Sequence, residues 1–263
     1  MFSQSRVLRL SALTLAVGMT AGSILVQPVF AEDYSNTNAQ VWYTTRSKAD
    51  PVNGTGTDNG DSTALRIEHY GTFAYGDNYL FLDDYNGKNV GGAGAGSFGS
   101  NTQNQLFGVW MPRLSFGKML GKEMSLGPIV DVSLASRLEV ASYGNYHAES
   151  LGIALDWKVP QFNFVTTRFL AYRTNYNSTH LFFHTTWGAA WPVGPRKLHF
   201  DGFFWTVGTD HNGQRWYVEP DMTVDVDPKG IFQAGARLTY ETYKLSGAEY
   251  HRTTPWLLVK WNF

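Results

Sequence analysis

The sequence predicts an all-β fold, a twelve-stranded antiparallel transmembrane barrel of the bacterial outer-membrane type, and three observations predict it. The chain closes on Trp256-Leu-Leu-Val-Lys-Trp-Asn-Phe263, where Leu257, Val259, Trp261 and Phe263 share one parity and Lys260 and Asn262 the other. Side chains alternate between the faces of a strand, so this ending has one apolar face that needs lipid or a core to cover it. Aromatic residues make up 15% of the 263 positions and charged residues only 16%, against about 25% charged in soluble domains. Beyond the N-terminal leader no apolar run reaches the roughly 18 residues of a spanning helix. A secreted chain that enters a bilayer without such a helix must close into a barrel to pair its backbone groups.

The leader comes first. Arg6 and Arg9 precede an apolar stretch from about Leu10 to Val26, then Pro28-Val29-Phe30-Ala31 and Glu32-Asp33. That order is a secretory signal with Val29 and Ala31 at the small-residue cleavage positions. Residues 1–31 are therefore expected to be a cleaved signal peptide and 32–263 the barrel; an uncleaved anchor is disfavoured by Ser11, Thr14, Thr20 and Ser23 within the stretch. The formal charge of −1 leaves no basic footprint for nucleic acid. With no cysteine there is no disulfide framework, thiolate metal site or lipoprotein anchor.

Alternation and turn residues give twelve strands, approximately 39–46, 64–75, 78–86, 104–117, 128–140, 146–158, 161–173, 179–191, 197–208, 215–226, 231–243 and 255–263. The number is even, and most segments supply the roughly 9–11 tilted residues of a spanning strand. Links at Gly76-Asp77, Pro160, Pro192–Arg196 and Asp227–Gly230 are short, and a longer one, Lys118–Gly127, falls on the same side. The alternate links Ser47–Thr63, Lys88–Gln103 and Leu245–Thr254 are expected to be long outer loops. Such barrels pair short periplasmic turns with longer external loops, which puts both termini in the periplasm. The run Gly91–Gly99 is either a mobile surface loop or a constriction folded into the mouth.

A Lys or Arg facing mid-bilayer lipid costs about 2–4 kcal/mol in a barrel, so the charged parity of each strand is expected to face the lumen. This places Asp131, Arg137 and Glu139 inside against Val130, Val132, Leu134 and Leu138. It places Glu219, Asp221 and Asp225 inside against Val218, Met222, Val224 and Val226. Arg237 and Glu241 oppose Phe232, Ala234, Ala236, Leu238 and Tyr240, and the same logic turns Glu68, Tyr70, Phe107, Arg113, Asp156 and Arg168 inward. For 78–86 it selects Phe81, Asp83 and Tyr85 over Leu80 and Leu82. Rings of this kind can stack on a planar solute while ionised groups hold its polar edge; inward ion pairs also stabilise small barrels. Trp157, Trp187, Trp191, Trp256 and Trp261 read as strand-end members of the interfacial girdle.

Several segments resemble one family. Leu106-Phe107, then Met111-Pro112-Arg113-Leu114-Ser115 and Ser125-Leu-Gly-Pro128, are followed by Leu151-Gly152, Asp156-Trp157 and Pro160. Further on come the Gly235-to-Tyr243 strand, Lys244-Leu245-Ser246-Gly247 and the terminal Pro255–Phe263. In order and spacing they are similar to the Tsx nucleoside-channel family, including its OmpK-like branch. The resemblance implies passive, selective diffusion of nucleosides, with Glu68, Tyr70 and Arg113 at lumen positions near the solute path and Phe81, Asp83 and Tyr85 beside it. The chain departs where the family carries acids before Pro-Arg, having Val109-Trp110-Met111, and its second strand reads Arg66-Ile-Glu-His-Tyr70. Such a barrel is expected to contact outer-membrane lipids, lipopolysaccharide and the barrel assembly machinery, and external loops of the family resemble receptors for phages and colicins.

The competing readings are an outer-membrane enzyme, a receptor or adhesin with an occluded lumen, and a general porin. A hydrolase needs a Ser beside a His on the outward face, and no such arrangement stands out. His180 and His184 in a strand lie some 13 Å apart, too far for one metal, and no cofactor motif is seen. Twelve strands enclose a narrower lumen than the 16–18 of porins.

Overall fold

The computed structural model describes residues 34–48, 60–87, 104–142, 145–210, 213–245 and 247–263. Residues 1–31, expected to be a signal peptide, and the Gly91–Gly99 run lie outside the described residues. Strands are β1 (Ser35–Ser47), β2 (Gly60–Phe73), β3 (Gly76–Gly87), β4 (Asn104–Ser115), β5 (Ile129–Ser136), β6 (Leu138–Ala141) and β7 (His147–Trp157). They continue with β8 (Phe164–Thr174), β9 (His180–Val193), β10 (Arg196–Gly208), β11 (Gln214–Asp225), β12 (Phe232–Leu245) and β13 (Ala248–Asn262). All neighbours are antiparallel, each strand pairs with the next except that β5 and β6 both lie between β4 and β7, and β1 pairs with β13, so the sheet closes on itself.

The thirteen segments make twelve barrel strands because β5 and β6 are one strand interrupted at Arg137. β4 pairs with β5 through Arg113↔Ala135 and with β6 through Trp110↔Leu138, in a single register. The lapse falls beside Pro112, which has no N–H to give the ladder. On the other side the Ser150 hydroxyl replaces the missing pairing, accepting from the Arg137 N–H and donating to its carbonyl, both at 2.9 Å. Closure at the seam runs from Asn38↔Asn262 to Tyr43↔Leu257, and the N–H of Phe263 donates to the Thr37 carbonyl at 3.0 Å.

Parity behaves as the charge argument requires. Val41, Leu65, Ile67, Leu80, Leu82, Trp110, Leu134, Leu151, Ile153, Met222, Leu257 and Val259 are exposed on the outer face, an apolar belt far larger than water tolerates and suited to lipid. Stacked pairs Phe232–Trp261 and Trp191–Phe200 stand where the girdle belongs, near the end that carries the short turns. The link between β4 and β5 opens with a one-turn helix, α1 (Phe116–Leu120), that runs into the expected Lys118–Gly127 link and is capped by the Ser115 hydroxyl and by Gly121 at φ 61°.

Two sequence expectations are corrected. Leu245–Thr254 is not a long loop: β12 and β13 pair directly from Leu245↔Ala248, across a turn with Gly247 at φ 83°. The polar run there is strand projecting above the apolar belt, and it is fastened by cross-strand contacts such as Arg252 with Glu241 and Tyr240 with His251. Trp256 is consequently not a strand-end girdle residue but mid-strand and inward, 8% exposed and packed with Trp42, Ala64 and Leu258.

Candidate functional site in the lumen

The lumen wall carries the polar chemistry. At its centre, Arg66 from β2 holds Asp83 of β3 through two hydrogen bonds, Nε to Oδ1 at 2.6 Å and Nη2 to Oδ2 at 2.8 Å. Its third nitrogen donates to Glu219 Oε1 of β11 at 3.0 Å. Three strands, β1, β13 and β12, separate β2 from β11 around the wall, so this ion pair is a chord through the interior. Glu219 also pairs with Arg237 at 3.1 Å and accepts from the Tyr217 hydroxyl at 2.7 Å, while Arg237 binds Asp221 and Gln40. Both guanidiniums lie over the Trp42 ring, that of Arg66 at 4.5 Å and that of Arg237 at 3.7 Å. Planar guanidiniums stack on such rings while their edges stay bonded to carboxylates.

A second cluster lies toward the turn end. Arg113 grips Asp77 (Nε 2.9 Å, Nη2 2.5 Å) and reaches past β5 to Asp156 of β7 at 2.7 Å, which also accepts from Thr166 at 2.5 Å. Above it Arg137 pairs with Glu139, whose other oxygen accepts from Tyr146 at 2.6 Å and Tyr172 at 2.8 Å. Glu68 is served by neutral donors, Asn38 at 3.0 Å, Gln40 at 3.3 Å and Tyr79 at 2.7 Å. Asp225 takes His199 at 2.8 Å and Gln233 at 3.3 Å, and Asp201 has only Lys260 at 3.9 Å. Carboxylates thus exceed the arginines that face them.

From β8 to β11 the wall is aromatic. Tyr172, Phe182, Trp205 and Tyr217, one from each of β8 to β11, stack in sequence with centroids 4.8, 5.7 and 5.4 Å apart and planes within 26°. Phe203 continues the row beside Tyr217 at 5.6 Å, and Arg137 and Arg215 lie over Phe182 and Trp205 at 5.4 and 5.1 Å. Phe203, Trp205 and Tyr217 remain partly exposed.

The predicted residues divide between these groups. Phe81, Asp83, Tyr85 and Arg237 join the Arg66 cluster, Phe81 beneath its guanidinium at 4.3 Å and Tyr85 edge-on to Trp42 at 5.8 Å. Arg113 heads the second cluster, and Arg137 belongs with Glu139. Phe107 bridges the rings of Phe81 and Tyr146 at 6.1 and 6.4 Å. Glu68 stands between the Arg66 cluster and the Asn38–Gln40 donors, and Tyr70 meets Tyr34 at 6.0 Å. Arg66, Trp42 and the Phe203–Trp205–Tyr217 row were not singled out. The parity that selects Glu68 and Tyr70 also selects Arg66, and the parity of β10 selects Phe203 and Trp205.

No protein-family model matches the chain, and no curated protein does. Among solved structures it is similar to a KdgM porin in complex with disordered oligogalacturonate, at TM-score 0.46 and 7% identity over 88% of this chain and 99% of that one. A second KdgM porin structure gives 0.45 and 10% over the same shares. A bacterial polysaccharide outer membrane secretin gives 0.39 and 9%, again over 88% and 99%.

Proposed function

We propose that the protein is an outer-membrane channel for the passive, selective diffusion of small polar solutes with a flat face, nucleosides foremost. The observation that supports this reading best is the aromatic row of β8 to β11 set directly against ionised groups of the lumen wall, with Glu139 and Glu219 bonded to Tyr172 and Tyr217 and Arg137 and Arg215 over Phe182 and Trp205. A base stacked on one ring gains about 1–3 kcal/mol whatever its identity, and charged hydrogen-bonding groups address its edge. Several such weak sites in series hold a solute without trapping it. Carboxylates without an arginine partner, Glu68, Asp225 and Asp201, make the wall repel polyanions, which favours an uncharged solute. The resemblance to Tsx-like channels points the same way. In this reading the turn end, with both chain ends, faces the periplasm, and the protein needs no catalysis and no cofactor.

A receptor or adhesin barrel with an occluded lumen, serving as a phage or colicin target, is the second reading, favoured by the Arg66–Glu219 chord. Conductance of the purified mature barrel in a planar bilayer, titrated separately with adenosine and with glucose, separates the two. Saturable block by adenosine and none by glucose is expected. Absence of current supports the receptor instead.

A further inference from the structure

Arg168 stands apart among the described lumenal arginines, because no carboxylate lies within ion-pair distance of it. Arg66, Arg113, Arg137, Arg215, Arg237 and Arg252 all hold an Asp or Glu. Arg168 is 5% exposed, and its one hydrogen bond runs from Nη1 to the Thr186 hydroxyl at 3.2 Å. Its Nε is buried without an acceptor, and so is Nδ1 of His184, the residue paired with it across β8 and β9. Two adjacent unserved nitrogens are rare in a folded interior, since each costs about 1–3 kcal/mol of lost hydration. Asp77 and Asp156 attract its charge from a distance, but both are already held by Arg113, which with Arg137 repels it. What the chain does not provide is an oxygen for the Arg168 Nε, nor a partner for the His184 Nδ1, which donates to an oxygen in the tautomer that carries its proton there. Around them Thr186 and Phe203 are only half-buried, and the His184 ring lies 5.8 Å from Phe203 and 5.9 Å from Phe182.

We propose that Arg168 and His184, with Thr186, form a carboxylate-binding subsite beside the aromatic row, selecting monoanionic solutes that carry a carboxylate on a planar ring. The subsite rests on the channel reading and deepens it, adding a solute class to the uncharged one. A single carboxylate replaces the missing acceptor in a charge-assisted bond to the guanidinium, while the ring lies against Phe203 and Trp205. A polyanion remains excluded by the acids elsewhere on the wall.

Orotate, uracil and acetate test this, since orotate is uracil with one added carboxylate and acetate is the carboxylate without the ring. Current through the mature barrel in a planar bilayer should be blocked by orotate at concentrations at least about tenfold below those needed for uracil or acetate, the ratio expected when a charged hydrogen bond is gained. In Arg168→Gln the orotate-to-uracil ratio should collapse to within about twofold, and Arg168→Lys, which keeps the charge, should restore part of it. Heat-modifiable gel migration checks that both variants assemble. Equal block by orotate and uracil in the unaltered protein overturns the subsite, as does an unchanged ratio in Arg168→Gln, and equal block by acetate overturns its ring component. If no current flows, the channel reading fails separately. Calorimetric titration of the detergent-solubilised barrel with orotate then decides: Arg168-dependent binding upholds the subsite and no binding removes it.

Discussion

Replacing Arg66 by Met should destabilise the barrel by about 3–5 kcal/mol, the cost of removing one partner from a buried ion pair. The structure says where the cost arises. Asp83, 1% exposed, loses both guanidinium bonds and keeps only the Tyr85 hydroxyl at 3.1 Å. Glu219 is left with Arg237 and Tyr217 and suffers less. Met is the informative substitute because it continues to pack on Trp42 and Phe81, so the change reports charge rather than a cavity. Asp83→Asn alone should cost about 2 kcal/mol, since Arg66 retains Glu219 while a charged bond becomes neutral. In the double variant no orphan charge remains at position 83, and the combined cost should fall short of the sum by about 2–3 kcal/mol, the coupling expected of neighbours in one network. Urea unfolding of the refolded barrel in detergent, followed by tryptophan fluorescence, measures all four proteins. Additive costs would refute the pairing.

Three further outcomes are expected. Gly152→Ala and Gly235→Ala should impair refolding at a cost of about 3 kcal/mol or more, because a Cβ at either position meets a backbone oxygen at 2.0 Å, that of Phe169 or of Met222; gel migration of the refolded variants reports it, and wild-type yields would contradict the close strand approach. Trp205→Ala should weaken adenosine block about tenfold, the equivalent of one stacked ring, with unchanged block removing the row from the pathway. At the loop end, the Ser178 hydroxyl and backbone N–H, with His180, hold the Asp210 carboxyl down to about 2. A depressed carboxyl stabilises above its ordinary range and loses that effect as pH falls through the lowered value, so this clasp should persist at pH 4 and fail near pH 2, and Asp210→Asn should increase protease nicking at neutral pH. Equal nicking of both proteins would show that the clasp does not order the rim.

How the sequence encodes this barrel is clearest at particular residues. Inward parity was legible wherever a strand carried a charge, because lipid rejects charge at one residue in two and a one-residue slip would expose Arg113, Glu219 or Arg237. Strand ends were less legible: the run from Glu249 to Thr254 is polar, and above the bilayer a polar strand and a loop have the same composition. Starting β13 too late in turn made Trp256 look like a strand end, when it is the ninth residue of a fifteen-residue strand. Partners were not legible at all. Arg66 and Glu219 are 153 positions apart, and only the closure of the sheet brings them together. The same holds for Arg168, whose inward position follows from parity while its lack of a carboxylate depends on Arg113 having taken both Asp77 and Asp156.

Permeation itself is the claim on which the functional reading rests, and uptake of radiolabelled adenosine into liposomes carrying the mature barrel tests it most directly. Adenosine should equilibrate across the membrane faster than through protein-free liposomes and faster than glucose in the same vesicles, with excess unlabelled adenosine slowing the labelled flux. Uptake no faster than in protein-free liposomes would contradict the channel and leave a sealed barrel with its function at the outer surface.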